Sequence, residues 1–365
     1  DGNDAKWATH IIEVAQNGTG GEIVWEWHIV DHFVQDEDAE LPNYGVISEN
    51  PQLLNINVDI DSSGPPGGGG ANEWFHVNGI DYNEDLDQIA FTSRFISEIF
   101  IIDHSTTTEE AASHAGGNSG MGGDFIYRWG HPDNYDTPGA QIIPAAVHDV
   151  RWIKEGRPNA GYLQYFNNEG NNGGSAIDAI ETPVNGYNYD LTPGSQYEPT
   201  TYSWRHECID DASGQSASDR MSNGNVFVNL SPGQGGGGFM YEADMEGNVV
   251  FQYANGSNKA FRYECDFPGL QFILETPCDT PDNIEEIDEL TFSVYPNPCS
   301  TEVNIESFEV LSKDSKVIIH NLLGEQVLIS DELTNINTSL IPSGIYYLSL
   351  VSGSQVNSKK ISILH

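Results

Sequence analysis

Apolar and aromatic side chains between residue 1 and about residue 274 come in short runs of β-type alternation. Gly, Asn and Asp punctuate these runs, and helical periodicity is almost absent. Three segments share one frame, Gly-x-x-apolar-aromatic-x-aromatic: Gly21-Glu-Ile-Val-Trp-Glu-Trp27, Gly123-Asp-Phe-Ile-Tyr-Arg-Trp129 and Gly247-Asn-Val-Val-Phe-Gln-Tyr253. Each follows an apolar-acidic run, namely Ile11–Val14, Ile99–Asp103 and Phe239–Asp244. The frame predicts a hairpin whose glycine supplies the turn's unusual backbone angles. Hairpins repeated in this way, with aromatic outer strands, read as blades of a β-propeller; a two-sheet sandwich is the alternative.

Further strands are predicted at 74–80 and 88–93, at 147–153, 161–167 and 176–181, and across 218–230, where Asn223-Gly224-Asn225 marks a hairpin. About four blades result, some incomplete. Glycine-rich stretches at 62–70, 115–123, 167–174 and 233–238 read as flexible surface insertions. Six acids among residues 279–289 make a self-repelling linker. The pattern therefore divides the chain into an all-β domain (1–277), a linker (278–290) and a second all-β unit (291–365).

That second unit reads as a small β-sandwich of short strands. Its opening Tyr295-Pro-Asn-Pro298, its Asn321-Leu-Leu-Gly324 turn, the Gly344-Ile-Tyr-Tyr-Leu-Ser-Leu350 strand and the Lys359-Lys360 pair before a final apolar strand resemble the type A sorting domain of the type IX secretion system. The resemblance implies export from a Bacteroidetes-like bacterium by that secretion machinery, to the medium or the cell surface.

Charge narrows the partners. The chain carries 14 basic against 55 acidic residues, a net −41 at pH 7. Such a surface repels nucleic acid and anionic lipid, within a screening length of ~8–10 Å. With few cations available, each Arg is informative, because an anion-binding site must draw on very few candidates. No apolar run is long enough for a transmembrane segment. The start at Asp1 without a leader suggests a mature, processed or truncated product. Four cysteines, Cys208, Cys265, Cys278 and Cys299, suit an exported protein. Either Cys265–Cys278 or Cys208–Cys265 is the expected disulfide, with Cys299 left free.

Histidine is the chemically distinctive residue, with nine of eleven copies in the first 206 positions. His76 and Asn78 in Trp74-Phe-His-Val-Asn78 are expected on one face of a strand. His148 has Asp149 beside it and Arg151 near, and His206 follows Arg205. His28 and His32 are spaced i, i+4, which on a strand leaves them ~13 Å apart, too far to share an ion. Asp81-Tyr-Asn83-Glu-Asp85-Leu-Asp87 starts like a calcium loop, but Leu86 replaces the required Gly, so a plain turn is expected. No metal site and no cofactor are expected.

Several of these segments, in order, resemble the bacterial arylsulfotransferase family: Trp74–Asn78, Ile89–Arg94 with Ser97–Asp103, Tyr127–Gly130, Val147–Trp152, Tyr165–Asn168, and Phe261 to Leu270. The family's six-bladed propellers move a sulfuryl group between phenols without a nucleotide donor. The resemblance implies aryl sulfate and phenolic partners, and a covalent histidine intermediate. His76 and His148 match its sulfate-contacting histidines, and His206 is the nearest match, by chain order, to its nucleophile. Asn78, Arg94 and Arg151 are candidates for substrate binding. After Asn168, where the family tends to carry an Arg, the chain has Glu169. The alternative is a catalytically inactive propeller that binds ligands or partners at the cell surface.

Overall fold

The computed structural model describes residues 6–58, 74–139, 141, 143–233, 238–274, 291–307, 311–353 and 355–365. The fold is all-β and falls into two units, 1–264 and 265–365, each with its own core. The expected linker at 278–290 lies outside the described residues.

In the first unit a hairpin pairs β1 (His10–Asn17) with β2 (Gly20–His28), and the two-residue strands β3 (Phe33–Val34) and β4 (Leu54–Asn55) pair in parallel. The second sheet runs β5 (Val77–Asn83), β6 (Gln88–Ser93), β7 (Glu98–Asp103), β8 (Phe125–Trp129). A four-residue helix, α1 (Thr108–Ala111), interrupts the passage from β7 to β8. The third sheet joins β9 (Val147–Trp152), β10 (Leu163–Asn171) and β11 (Gly174–Ile180), and after the small β12 (Val184–Asn185)/β13 (Asn188–Tyr189) ribbon it is completed by β14 (Trp204–Glu207). The fourth runs β15 (Ala217–Arg220), β16 (Val226–Leu230), β17 (Gly238–Ala243), β18 (Val249–Gly256).

Side-chain alternation explains how these sheets stack. β6 and β7 are buried at every position, which requires cover on both faces. Ile89, Phe91, Phe100 and Ile102 join an aromatic layer with Trp25 and Trp27 of the first hairpin. Their neighbours Ala90, Ile99 and Ile101 point the other way, into a layer with Val147, Val150, Leu163 and Tyr165 of the third sheet. Phe166, the next residue of β10, turns with Ile177 towards Val226, Val228 and Tyr241 of the fourth. The period of two along each strand thus places one apolar layer between each pair of successive sheets.

Turn chemistry departs from the expected frame. In the first hairpin the left-handed glycine is Gly18, not Gly21, and in the third it is Gly247 as expected. The second frame is not a tight hairpin, because residues 104–124 and α1 intervene between paired β7 and β8. The stretch 167–174, expected as a flexible insertion, instead extends β10 and β11, with Asn172 and Gly173 both at positive φ in the turn. Residues 59–73 and 234–237 lie outside the described part, and most of two other expected insertions falls there.

The second unit begins with α2 (Pro268–Ile273). One of its sheets is ordered β19 (Phe292–Tyr295), β20 (Glu302–Ser307), β23 (Asn335–Asn337), and the other β22 (Gln326–Ser330), β21 (Lys316–His320), β24 (Gly344–Ser352), β25 (Gln355–Ile363). Val303 and Ile305 from one sheet share a core with Val317, Ile319, Leu348, Leu350 and Ile361 from the other. Cys208, Cys265 and Cys299 are free thiols, so Cys208 and Cys265 are not paired; Cys278 lies outside the described residues.

Candidate active site

The leading strands β5, β9 and β15 pack side by side, and a carboxylate on each accepts a backbone N–H from a later segment of the chain. Asp81 Oδ2 receives Trp152 N at 2.9 Å, Asp149 Oδ2 receives Ser218 N at 3.1 Å, and Asp219 Oδ2 receives Arg262 N at 3.1 Å. β5 meets β9 at Gly79, where a Cβ would stand 2.6 Å from Asp149 N and 2.7 Å from Thr92 Oγ1. Asn78 fixes the same seam: its Nδ2 donates to Val147 O at 2.9 Å, and its Oδ1 accepts from Thr92 Oγ1 at 2.7 Å. His76, Ala146 and Asp149 all have left-handed backbone, with φ of 50°, 53° and 56°. Such angles in non-glycine residues cost of order 1–3 kcal/mol each and gather at functional sites.

His148 lies at the centre of this seam, 2% exposed. Its Nδ1 is 2.8 Å from Ala146 O and 2.7 Å from Asn168 Oδ1. Asn168 cannot turn round, because its Nδ2 donates to Ala212 O and Gly214 O, both at 3.0 Å. Nδ1 of His148 therefore carries the hydrogen, and Nε2 presents its lone pair. Arg94 Nη1 stands 3.5 Å from that Nε2, too long for a strong bond. Burial is the main cause that pushes the His148 pKa down to about 4, helped by the Arg94 and Lys259 charges and opposed by the two acceptors on Nδ1. At neutral pH the ring is uncharged.

Cations surround it under different restraints. Burial lowers the Arg94 pKa, and Glu169 opposes that shift. Lys259 Nζ bridges Asp149 Oδ1 at 3.0 Å and Asn78 O at 3.2 Å. Arg151 is committed to carboxylates, with Nε 3.2 Å from Asp149 Oδ2 and Nη1 3.1 Å from Asp219 Oδ1, and it stacks on Phe261.

The structure thus brings together His148, Arg94 and Asn78 of the sequence-predicted residues. His76 is adjacent through its carbonyl, which accepts Arg94 N at 3.1 Å, and its ring packs on Phe95. It precedes β5, and its left-handed φ breaks the alternation that would have set it on one face with Asn78. His206 is elsewhere. His148, Phe166, Ile177 and His206 form one paired row across the third sheet, which sets the two histidines three strand spacings apart, or ~14 Å. Its Nε2 lies 2.9 Å from Tyr241 Oη, and burial and Arg220 lower its pKa. Sequence reasoning missed Asn168 and Lys259 as site residues. Lys259 was findable only as one of very few cations in an acidic domain.

A buried neutral imidazole flanked by a guanidinium and an ammonium defines an all-β protein with a histidine-centred cationic site. The chain belongs to the arylsulfotransferase family, whose model matches residues 1–189. Residues 293–364 match the secretion system C-terminal sorting domain. The protein is accordingly secreted or placed at the cell surface, and its tail engages the secretion machinery. Among the described residues no helix is long and apolar enough to cross a membrane. No curated protein matches the chain. Among solved structures, the extracellular domain of a hybrid two-component system from B. thetaiotaomicron is similar at 9% identity and TM-score 0.28, covering 81% of this chain and 45% of its own. Kuenenia stuttgartiensis hydrazine synthase is similar at 7% identity and TM-score 0.27, covering 81% and 69%. The chain thus spans less than half of the first of these.

Proposed function

We propose that this protein transfers a sulfuryl group from an aryl sulfate to a phenolic acceptor, with His148 as the nucleophile. The lone pair of a buried, neutral imidazole beside Arg94 carries this reading. Nε2 attacks sulfur, the N–S bond forms as the S–O(aryl) bond breaks, and the phenolate leaves with the bonding pair. Nδ1 keeps its hydrogen on Asn168 Oδ1 and Ala146 O, so the sulfated ring stays oriented. Arg94 holds the sulfuryl oxygens, with His76 at the rim as a further contact. The acceptor oxygen then attacks sulfur, the N–S bond breaks, and the acceptor's proton passes to water. The depressed basicity of His148 makes it a ready leaving group in that second step. Asn78 and Lys259 act as positioning groups through the seam that they close, and His206 acts in packing.

The four successive sheets of the first unit support a propeller-type arrangement over residues 1–277, with the first blade reduced to a hairpin. The linker at 278–290 and a sorting sandwich at 291–365 complete the proposed organisation. Glu169, whose charge acts on Arg94, favours one other reading: a surface binding module without turnover.

The test is release of 4-nitrophenol from its sulfate ester, with and without added phenol. Acceptor-dependent release, abolished in His148→Ala and retained in His206→Ala, is expected. No release from folded wild-type protein under either condition would reject aryl sulfuryl transfer and leave the binding module.

A further inference from the structure

A second histidine cluster lies outside this site. His32 ends a 3₁₀ turn at Ile29–His32 and is fully buried, with its ring parallel to Trp27 at 5.4 Å. Its Nδ1 is 2.8 Å from Asp124 Oδ1, and the same oxygen is 2.8 Å from His114 Nδ1. On its other side, His32 Nε2 is 2.9 Å from Ala111 O. A neutral imidazole has one ring hydrogen, yet both nitrogens of His32 face acceptors. With the hydrogen on Nε2, which Ala111 O requires, the Nδ1 lone pair points at a carboxylate oxygen. Something positive must separate them.

We propose that His32 Nδ1, His114 Nδ1 and Asp124 Oδ1 bind a divalent transition-metal cation, with zinc the best match to two imidazoles and one carboxylate. The three donor atoms lie within 4.8 Å of one another. A ligating imidazole usually donates its remaining N–H to a carbonyl or carboxylate, as His32 does to Ala111 O. Zinc bonds of ~2.0–2.1 Å need tetrahedral donors ~3.4 Å apart, so the two contacts of Asp124 Oδ1 must open from 2.8 Å. His114, whose side chain is 61% exposed, can supply that movement on its own side, and a turn of the Asp124 carboxylate must supply it on the side of the buried His32. His114 also borders a cleft of about 310 Å³, which gives the ion an entry path. The excursion between β7 and β8, which carries α1, His114 and Asp124, would then be clamped to the end of the first hairpin through one ion.

A competing surface group, His10, Glu26 and His28, shares the first hairpin, so the experiment must separate the two. The full chain, stripped with chelator, is titrated calorimetrically with zinc chloride, and bound metal is counted after gel filtration. Wild type and His28→Ala are expected to hold zinc at the proposed site, and His114→Ala to lose affinity by at least ~10-fold. His114 is exposed enough for its removal to leave the fold intact, and far-UV circular dichroism checks this. Unchanged zinc affinity in His114→Ala, loss confined to His28→Ala, or no binding by wild type would each overturn the proposal.

Discussion

Asn168 Oδ1 stands 2.7 Å from His148 Nδ1, and the two carbonyls held by Asn168 Nδ2 leave that oxygen no other orientation. An amide on β10 therefore decides which nitrogen of a histidine on β9 is free. Asn168→Asp keeps the shape and adds a negative charge at Nδ1. An opposite charge at that distance raises an imidazole pKa by ~1–3 units. The acid limb of the transfer rate, expected near the His148 pKa of about 4, should move up by at least one unit. A pH–rate profile of the variant measures this.

The same depressed pKa makes stability pH-dependent. The unfolded chain protonates this histidine near its reference pKa of ~6.5, whereas the folded chain does so near about 4. The contribution is complete above ~6.5, declines as pH falls towards 4, and levels off below it; its size is of order 3 kcal/mol. Urea unfolding at pH 7, 5 and 4 should show a shallower decline in His148→Gln than in wild type.

Gly79 lets β5 and β9 touch. Gly79→Ala places a methyl 2.6 Å from a backbone nitrogen that cannot yield. Overpacking of this kind costs ~1–3 kcal/mol, and here it also displaces His148. We expect a lower melting temperature together with a fall in kcat larger than any change in KM.

Arg128 and Glu98 form a bidentate pair at 2.8 Å, with both side chains fully buried. Removing one partner strands the other charge, at a cost of ~3–5 kcal/mol. Glu98→Gln should lower the urea midpoint sharply, and the double variant Glu98→Gln/Arg128→Met should recover part of the loss.

Much of the strand order was legible, because both-face burial writes itself into sequence as unbroken apolar runs such as Ile99–Ile102. The β5–β6 turn was legible too: Leu86 N donates to Asn83 Oδ1 within it. What failed was backbone handedness at non-glycine positions. Nothing in Trp74–Asn78 announces a φ of +50° at His76. The long excursion between β7 and β8 mimicked a hairpin, because Gly123 occupies the frame's glycine position; its role is to lie against Ala111 O and His32. Lys259 stayed hidden since its partners Asn78 and Asp149 are far away in sequence. His32 and Asp124, 92 positions apart, were invisible for the same reason.

The apolar layers between consecutive sheets also give the first unit a direction of wear. The hairpin at one end turns Ile12, Val14, Ile23 and Val24 to solvent, and β18 at the other end exposes Val250, Phe251 and Tyr253. End sheets are gripped from one side and the middle ones from both, so amide exchange should run fastest at the two ends and slowest in β6, β7 and β10. His148 sits on β9, paired with the slow strand β10. The strand that carries the proposed nucleophile stays paired while the extremities breathe, and a secreted protein can thus weather partial opening without losing the geometry around that ring.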